Sequence, residues 1–303
     1  MTCQLHIVDL TARSLLVVDG TDYAIRSEIP LPAHEAIISI HAAPDGATVY
    51  LPAAGHAGRG ALYLCEIPRR TLTRLPAALA HPACFALGGQ LVWFADPAGR
   101  LYCLHLTTLT VREYPPSLTD GRCTYLTAGT GRIAALWEND AAAAAALLDL
   151  SGRTLHLTPL PGKPTALAAS GDAFYAACLD SDGVSLLCLD DGRSTALPLA
   201  CPVCRQILSA YPSALAADSS AIYVLAEESA LTVIDAVTLQ IASHAVLSRP
   251  LDDLQLLPGG RQALGHSLQK GYLALIDLAA GRITAVTATD HRLGPVAVIA
   301  AAP

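Results

Sequence analysis

Charge is scarce in this chain, and lysine almost absent. Only 15% of the 303 residues are Asp, Glu, Lys or Arg, and the two lysines are Lys163 and Lys270. Twenty-six acids outnumber nineteen bases for a formal charge of −7, so the sequence lacks the basic footprint that nucleic acid requires. No apolar run approaches the roughly 18 residues of a membrane-spanning helix, and no membrane partner is expected. The first residues, Met1 to His6, carry no charged n-region ahead of an apolar stretch, so a signal peptide is not predicted. The single asparagine, Asn139, is followed by Asp140 and Ala141, which leaves no glycosylation sequon. P-loop, dinucleotide and Gly-x-Ser-x-Gly signatures are all missing, and no cofactor is predicted. His34-Glu35 opens like a zinc-protease helix, but Ile38 stands where the second histidine belongs. Nine cysteines, odd in number and unevenly spaced, do not form a secreted disulfide framework. Cys65, Cys84, Cys103, Cys178 and Cys188 fall in apolar alternating runs, where a thiol acts as a small buried hydrophobe. A reducing cytosol is the expected compartment.

What the chain does have is a repeat. Pro164–Leu197 contains four short runs of strand length: 164–171, 173–178, 184–190 and 193–197. Residues 212–218, 221–225, 231–235 and 238–242 repeat the plan, with Gly, Ser, Asp and Thr turns between runs. First strands are predicted to begin near 37, 82, 123, 164, 212, 251 and 295, with gaps of 39 to 48 residues. A four-stranded propeller blade has that length. Six complete units fit between 37 and 294. One C-terminal run (295–300) and three N-terminal runs (4–8, 14–18 and 23–29) are left over. Together they make a seventh blade, and closing the ring this way removes the open edge of a solenoid. The prediction is therefore a single all-β domain over residues 1–303, a seven-bladed β-propeller. The six alanines of 141–146 favour helix by propensity, but Leu147–Leu150 after them match a third strand, so strand is predicted there.

Ile222-Tyr-Val-Leu leading through a polar turn to Leu231-Thr-Val-Ile-Asp235 resembles the repeat of the YVTN-type propellers. Leu273–Ile283 looks like the same second half, and Ala43-Pro-Asp-Gly46 like that family's turn between first and second strands. The resemblance is sharpest over 37–75 and 212–285. It implies fold more than function, because the family and its relatives include binding proteins, amine dehydrogenases and lactonases.

Acids recur at the end of the third strand in most blades: Asp19, Glu66, Asp149, Asp190, Asp235 and Asp277, with His105 in the remaining one. Recurrence around a ring points to turn chemistry rather than to a convergent catalytic pair. Cys201-Pro-Val-Cys204 lies in the longest connection between blades. Lacking a second Cys-x-x-Cys, it reads as an ordinary loop, half of a metal site, or a redox couple. The loops leading into the seven first strands must share one face around the central channel. They carry His34 and Glu35, His81, Arg122, Lys163, Tyr211, Arg249, and His291 with Arg292. Arg122, Lys163, Arg249 and Arg292, shaped by Tyr211, are expected to form an anion-attracting collar. His34, His81 and His291 come from blades that become neighbours on closure, and with Glu35 offer a candidate metal shell. The expected function is non-catalytic binding of a small anionic ligand or an acidic protein segment at this mouth. Few surface charges leave room for a protein partner or a second copy. The alternative is chemistry at the same mouth, either metal-dependent hydrolysis as in a lactonase or service as an oxidoreductase subunit.

Overall fold

A computed structural model describes residues 3–43, 45–55, 59–76, 79–80, 84–115, 121–180, 183–197, 211–226, 229–267, 270–288 and 292–300. Among them every regular element is a strand. The chain opens with β1 (Cys3–Asp9), β2 (Ser14–Asp19) and β3 (Ile25–Pro30). The first complete blade holds β4 (Ala36–Ile37), β5 (His41–Ala42), β6 (Thr48–Ala54), β7 (Arg59–Glu66) and β8 (Thr71–Arg74), with β9 (Leu79–Ala80) pairing on β7. Its inner strand is thus split, since β4 and β5 both pair with β6. The second blade runs β10 (Cys84–Gly88), β11 (Leu91–Ala95), β12 (Leu101–His105) and β13 (Val111–Tyr114). The third runs β14 (Arg122–Ala128), β15 (Arg132–Glu138), β16 (Ala143–Asp149) and β17 (Thr154–Pro159). The fourth is β18 (Lys163–Ser170), β19 (Ala173–Asp180), β20 (Gly183–Cys188) and β21 (Ser194–Ala196). The fifth is β22 (Pro212–Ala217), β23 (Ala221–Ala226), β24 (Ala230–Asp235) and β25 (Ile241–Val246). The sixth is β26 (Asp253–Leu256), β27 (Gln262–Ser267), β28 (Tyr272–Asp277) and β29 (Arg282–Ala288), and β30 (Leu293–Ala300) follows.

All pairings are antiparallel, and the last strand joins the first three in the order β3-β2-β1-β30. The expected closure is therefore present, with Leu5 opposite Val298 and Ile7 opposite Val296. The inner strands start within two residues of the predicted positions.

Burial follows from stacking. A middle strand such as β11, Leu-Val-Trp-Phe-Ala, is covered on both faces by neighbouring blades, so its apolar residues run without alternation. Outer strands such as β17, Thr-Leu-His-Leu-Thr-Pro, are mostly exposed. Each of the seven seams between blades holds its own apolar cluster. Ala143 to Ala146 of the alanine run are strand because β15 and β17 pair on both sides of them, while Ala141 and Ala142 close the preceding turn on Asn139. Trp137 also stands directly opposite Ala144, whose small side chain leaves room beside the indole.

Most of the recurrent acids accept turn amides, whereas Glu66 takes the Arg69 guanidinium at 2.9 Å and the Thr71 hydroxyl at 3.1 Å. Asp235 accepts the amides of Val237 and Thr238 at 3.1 and 2.7 Å, and Asp149 those of Ser151 and Arg153 at 2.9 and 3.0 Å. Asp19 and Asp277 do the same for Thr21 and Ala280. Asp190 departs from the pattern. It accepts the Phe174 amide at 3.1 Å and pairs with Arg132 at 2.7 Å, while Asp191 receives the Arg193 amide of the turn.

Candidate functional site at the channel mouth

Each inner strand begins on one face of the ring, and there the third and fourth blades enclose a cleft of about 950 Å³. Arg122, first residue of β14, and Lys163, first residue of β18, both line it. Hairpin register places Glu138, the last residue of β15, directly across from Arg122. The guanidinium donates to Glu138 Oε1 through Nε at 3.0 Å and Nη2 at 2.6 Å. Glu138 is buried, so this carboxylate needs the pairing. Arg122, with a side chain 64% exposed, still has further N–H donors at the cleft. Lys163 is exposed and forms no ion pair among the described residues. Its position is set by Gly162: a Cβ there would lie 2.2 Å from the Leu179 carbonyl oxygen, so only glycine lets the loop come this close to β19. Asp140 at the rim supplies an acceptor. Its carboxylate and that of Glu138 balance the two bases, so the cleft carries both signs.

Tyr125 stands below this mouth, half-buried on β14, and also lines the bore. Burial raises its phenol above the ordinary value, and the Tyr211 hydroxyl and the Glu138 carboxylate nearby add to the effect. Tyr211 thus reaches the same neighbourhood from the fifth blade. The bore itself, about 480 Å³, runs between β14, β18, β22 and β26. Its walls are mostly Ala and Leu, with Thr127, Ser213 and Gln255. Asp253 is its carboxylate, 3.2 Å from the Gln255 amide and 3.8 Å from the buried His266 ring. Among the described residues, Arg122 and Lys163 line the mouth cleft and no base lines the bore.

The other predicted residues are placed differently. Arg249 sits over the Tyr272 ring, 5.6 Å from its centroid, and does not line the cleft. Arg292 is exposed at the start of β30. Its amide donates to Thr11 Oγ1 and its carbonyl accepts from Leu10, both at 2.9 Å. Of the expected collar, Arg122 and Lys163 share one cleft and Tyr211 lies near. Arg249 and Arg292 stand at the openings of other blades. His34 is an exposed turn residue, and His81 and His291 lie outside the described residues. Glu35, expected to complete a metal shell, is engaged elsewhere: it accepts from the Tyr63 hydroxyl and lies 3.4 Å from Arg74. Burial and that carboxylate push the Tyr63 phenol up to about 12. Cys201 and Cys204 also lie outside the described residues. Cys65, Cys103, Cys178 and Cys188 are buried in strands as expected, whereas Cys84 is partly exposed.

Sequence reasoning passed over Glu138 and Tyr125. Glu138 was within reach, since counting back through the Gly129–Gly131 turn puts it opposite Arg122. Tyr125 carried no signal beyond its place in an inner strand.

No family model matches the chain, and no curated protein matches it in sequence. Solved structures do. Apo AztD from Citrobacter koseri is similar over 99% of this chain and 98% of its own, at 13% identity and a TM-score of 0.58. The dihydro-heme d1 dehydrogenase NirN in complex with DHE is similar over 94% of this chain and 63% of its own, at 15% identity and a TM-score of 0.65. Hydrazine synthase from Kuenenia stuttgartiensis is similar over 92% of this chain and 90% of its own, at 13% identity and a TM-score of 0.64. At such identities the likeness is one of fold. The chain is a seven-bladed β-propeller.

Proposed function

We propose that this propeller is a non-catalytic binding module whose mouth cleft, between the third and fourth blades, takes a small anionic ligand or an acidic protein segment. One observation carries the reading: in a cleft of about 950 Å³, Lys163, without an ion pair among the described residues, stands with Arg122, whose guanidinium is oriented by Glu138. A carboxylate or phosphate would meet Lys163 and the free N–H groups of Arg122. Asp140 would accept from a hydroxyl or amine on the same ligand. The sequence resemblance to YVTN-type propellers fits a binding role, and the free thiols among the described residues fit a reducing, cytosolic setting. The test is thermal stabilisation at low salt by citrate and by a glutamate-rich peptide. A ligand at a hundred times its dissociation constant adds about 2.7 kcal/mol of stability. Lys163→Glu should abolish that gain while leaving the unliganded melting temperature near its starting value. Added salt should erode it. No stabilisation by either probe, or equal stabilisation of Lys163→Glu, overturns the reading. The rival reading, chemistry at the same mouth, draws on the company of NirN and hydrazine synthase. A stoichiometric transition metal in the purified protein would favour it.

A further inference from the structure

The inner strands β10 and β14 pack side by side, and each brings a thiol to the seam between the second and third blades. Cys84 begins β10 and Cys123 is the second residue of β14. Their sulfurs are 3.4 Å apart, with the Cys84 thiol donating to Cys123. Two further contacts hold the blades together beside the pair. A Cβ on Gly99 would lie 1.9 Å from the Gly121 carbonyl oxygen, so the backbones are in direct contact. The Trp137 Nε1–H donates to the Gly99 carbonyl at 3.1 Å. Cys84 is partly exposed, while Cys123 is only 3% exposed. The Cys84 sulfur and burial together push the Cys123 thiol well above its ordinary value.

We propose that Cys84 and Cys123 form a reversible dithiol–disulfide couple bridging the second and third blades, which exchanges with low-molecular-weight disulfides such as oxidised glutathione. A disulfide needs the sulfurs at about 2 Å, so the pair, now 3.4 Å apart, must close by about 1.4 Å across a seam already in contact. A metal is the poorer use of the pair. A structural zinc site takes four ligands, and no group of three His, Cys, Asp or Glu among the described residues is placed to hold a metal.

The accessible Cys84 loses its proton to solvent and attacks one sulfur of the oxidised glutathione. The S–S bond breaks, and one glutathione leaves as a thiolate that takes up a proton. Cys84 now holds a mixed disulfide. The Cys123 sulfur then attacks Cys84, the Cys84–glutathione S–S bond breaks, and the departing glutathione sulfur takes up the proton that Cys123 gives up. Two protein thiols are oxidised to one disulfide, and one glutathione disulfide is reduced to two thiols.

The experiment uses the full chain carrying Cys201→Ser and Cys204→Ser, so that the Cys-x-x-Cys pair cannot compete. The protein is incubated with oxidised glutathione, blocked with an alkylating agent, and digested with trypsin without reduction. Peptides 75–100 and 123–132, which carry Cys84 and Cys123, should appear joined and two hydrogens lighter than their sum. The oxidised protein should melt roughly 5 °C above the reduced form, and dithiothreitol should reverse both changes. Adding Cys84→Ser should remove the linked peptide. A stable glutathione adduct on Cys84 with Cys123 still alkylatable after unfolding, or no modification of either residue, overturns the proposal.

Discussion

Closure of the ring can be tested at β30, where the two ends of the chain meet. Leu293, Val296 and Ile299 are 1%, 5% and 7% exposed, wedged into the seams on either side of the last blade. Each fully buried side chain of this kind contributes about 1.5–3 kcal/mol, so the three together supply about 5–9 kcal/mol, an upper range because unfolded chains already bury some surface. Removing residues 293–303 would also unpair β1 along six register positions. Set against a typical stability of about 5–15 kcal/mol, the truncated chain should not hold its fold at 37 °C. The graded version is Ile299→Ala, which should cost about 2–5 kcal/mol. Urea unfolding followed by tryptophan fluorescence is a demanding assay, because Trp93 and Trp137 are fully buried in the seam between the second and third blades, across the ring from β30. If closure makes the ring one cooperative unit, Ile299→Ala lowers the midpoint reported by these distant tryptophans without changing the slope. If the truncation unfolds like the intact chain, or the tryptophan transition ignores Ile299→Ala, the closed-ring reasoning fails.

Three further outcomes follow from particular contacts. His6 is completely buried on β1, neither ring nitrogen has a hydrogen-bond partner among the described residues, and burial lowers its pKa from 6.5 to about 4. The native state therefore resists protonation that the unfolded state accepts, so stability is complete above pH 6.5 and falls as pH drops toward 4. The loss is about 3 kcal/mol, and His6→Leu should flatten that segment of a pH–stability curve. Trp137→Phe removes the donor to the Gly99 carbonyl and should cost about 1–3 kcal/mol in chemical denaturation. Asp235→Ala strips the fifth-blade turn of two amide acceptor contacts and should cost about 1–2 kcal/mol in melting, yet leave any affinity at the mouth unchanged.

The blades were legible in the sequence because stacking writes itself into composition. A strand covered on both faces must be apolar throughout, as in Ala221–Ala226, and a turn that closes on its own backbone wants Asp at a fixed offset, as Asp235 shows. Even the alanine run yielded to this logic, since the third-strand position outweighed helix propensity. The site was only partly legible. Strand starts could be counted, and counting found Arg122 and Lys163 on one face. What counting cannot supply is where each side chain turns once the other strands of its own blade are in place. Arg249 turned to Tyr272 and Glu35 to Tyr63, each within the blade it leads into. Asp190 was drawn from its turn by Arg132, an ion pair the repeat alone does not reveal. Cys84 and Cys123 meet across a seam, and nothing in their 39-residue separation distinguishes them from the other thiols.

The same stacking explains why the mouth is the place to look for function. Seven apolar seams admit few charges, so polar groups are pushed to outer strands, turns and strand ends. Of these, the turns are occupied by their own backbone contacts and the outer strands are dispersed around the rim. The ends of the inner strands alone bring side chains from several blades to one opening. They do so from ladder positions, Arg122 against Glu138 for example, that the sheet holds rigid. Loops between such fixed ends can change without disturbing the seams, which is how one architecture comes to serve unrelated proteins. The groups at the strand ends are therefore where the proposed binding would be decided. Lys163, one of two lysines in the chain and without an ion pair among the described residues, beside a carboxylate-oriented Arg122, is the specific content of this mouth.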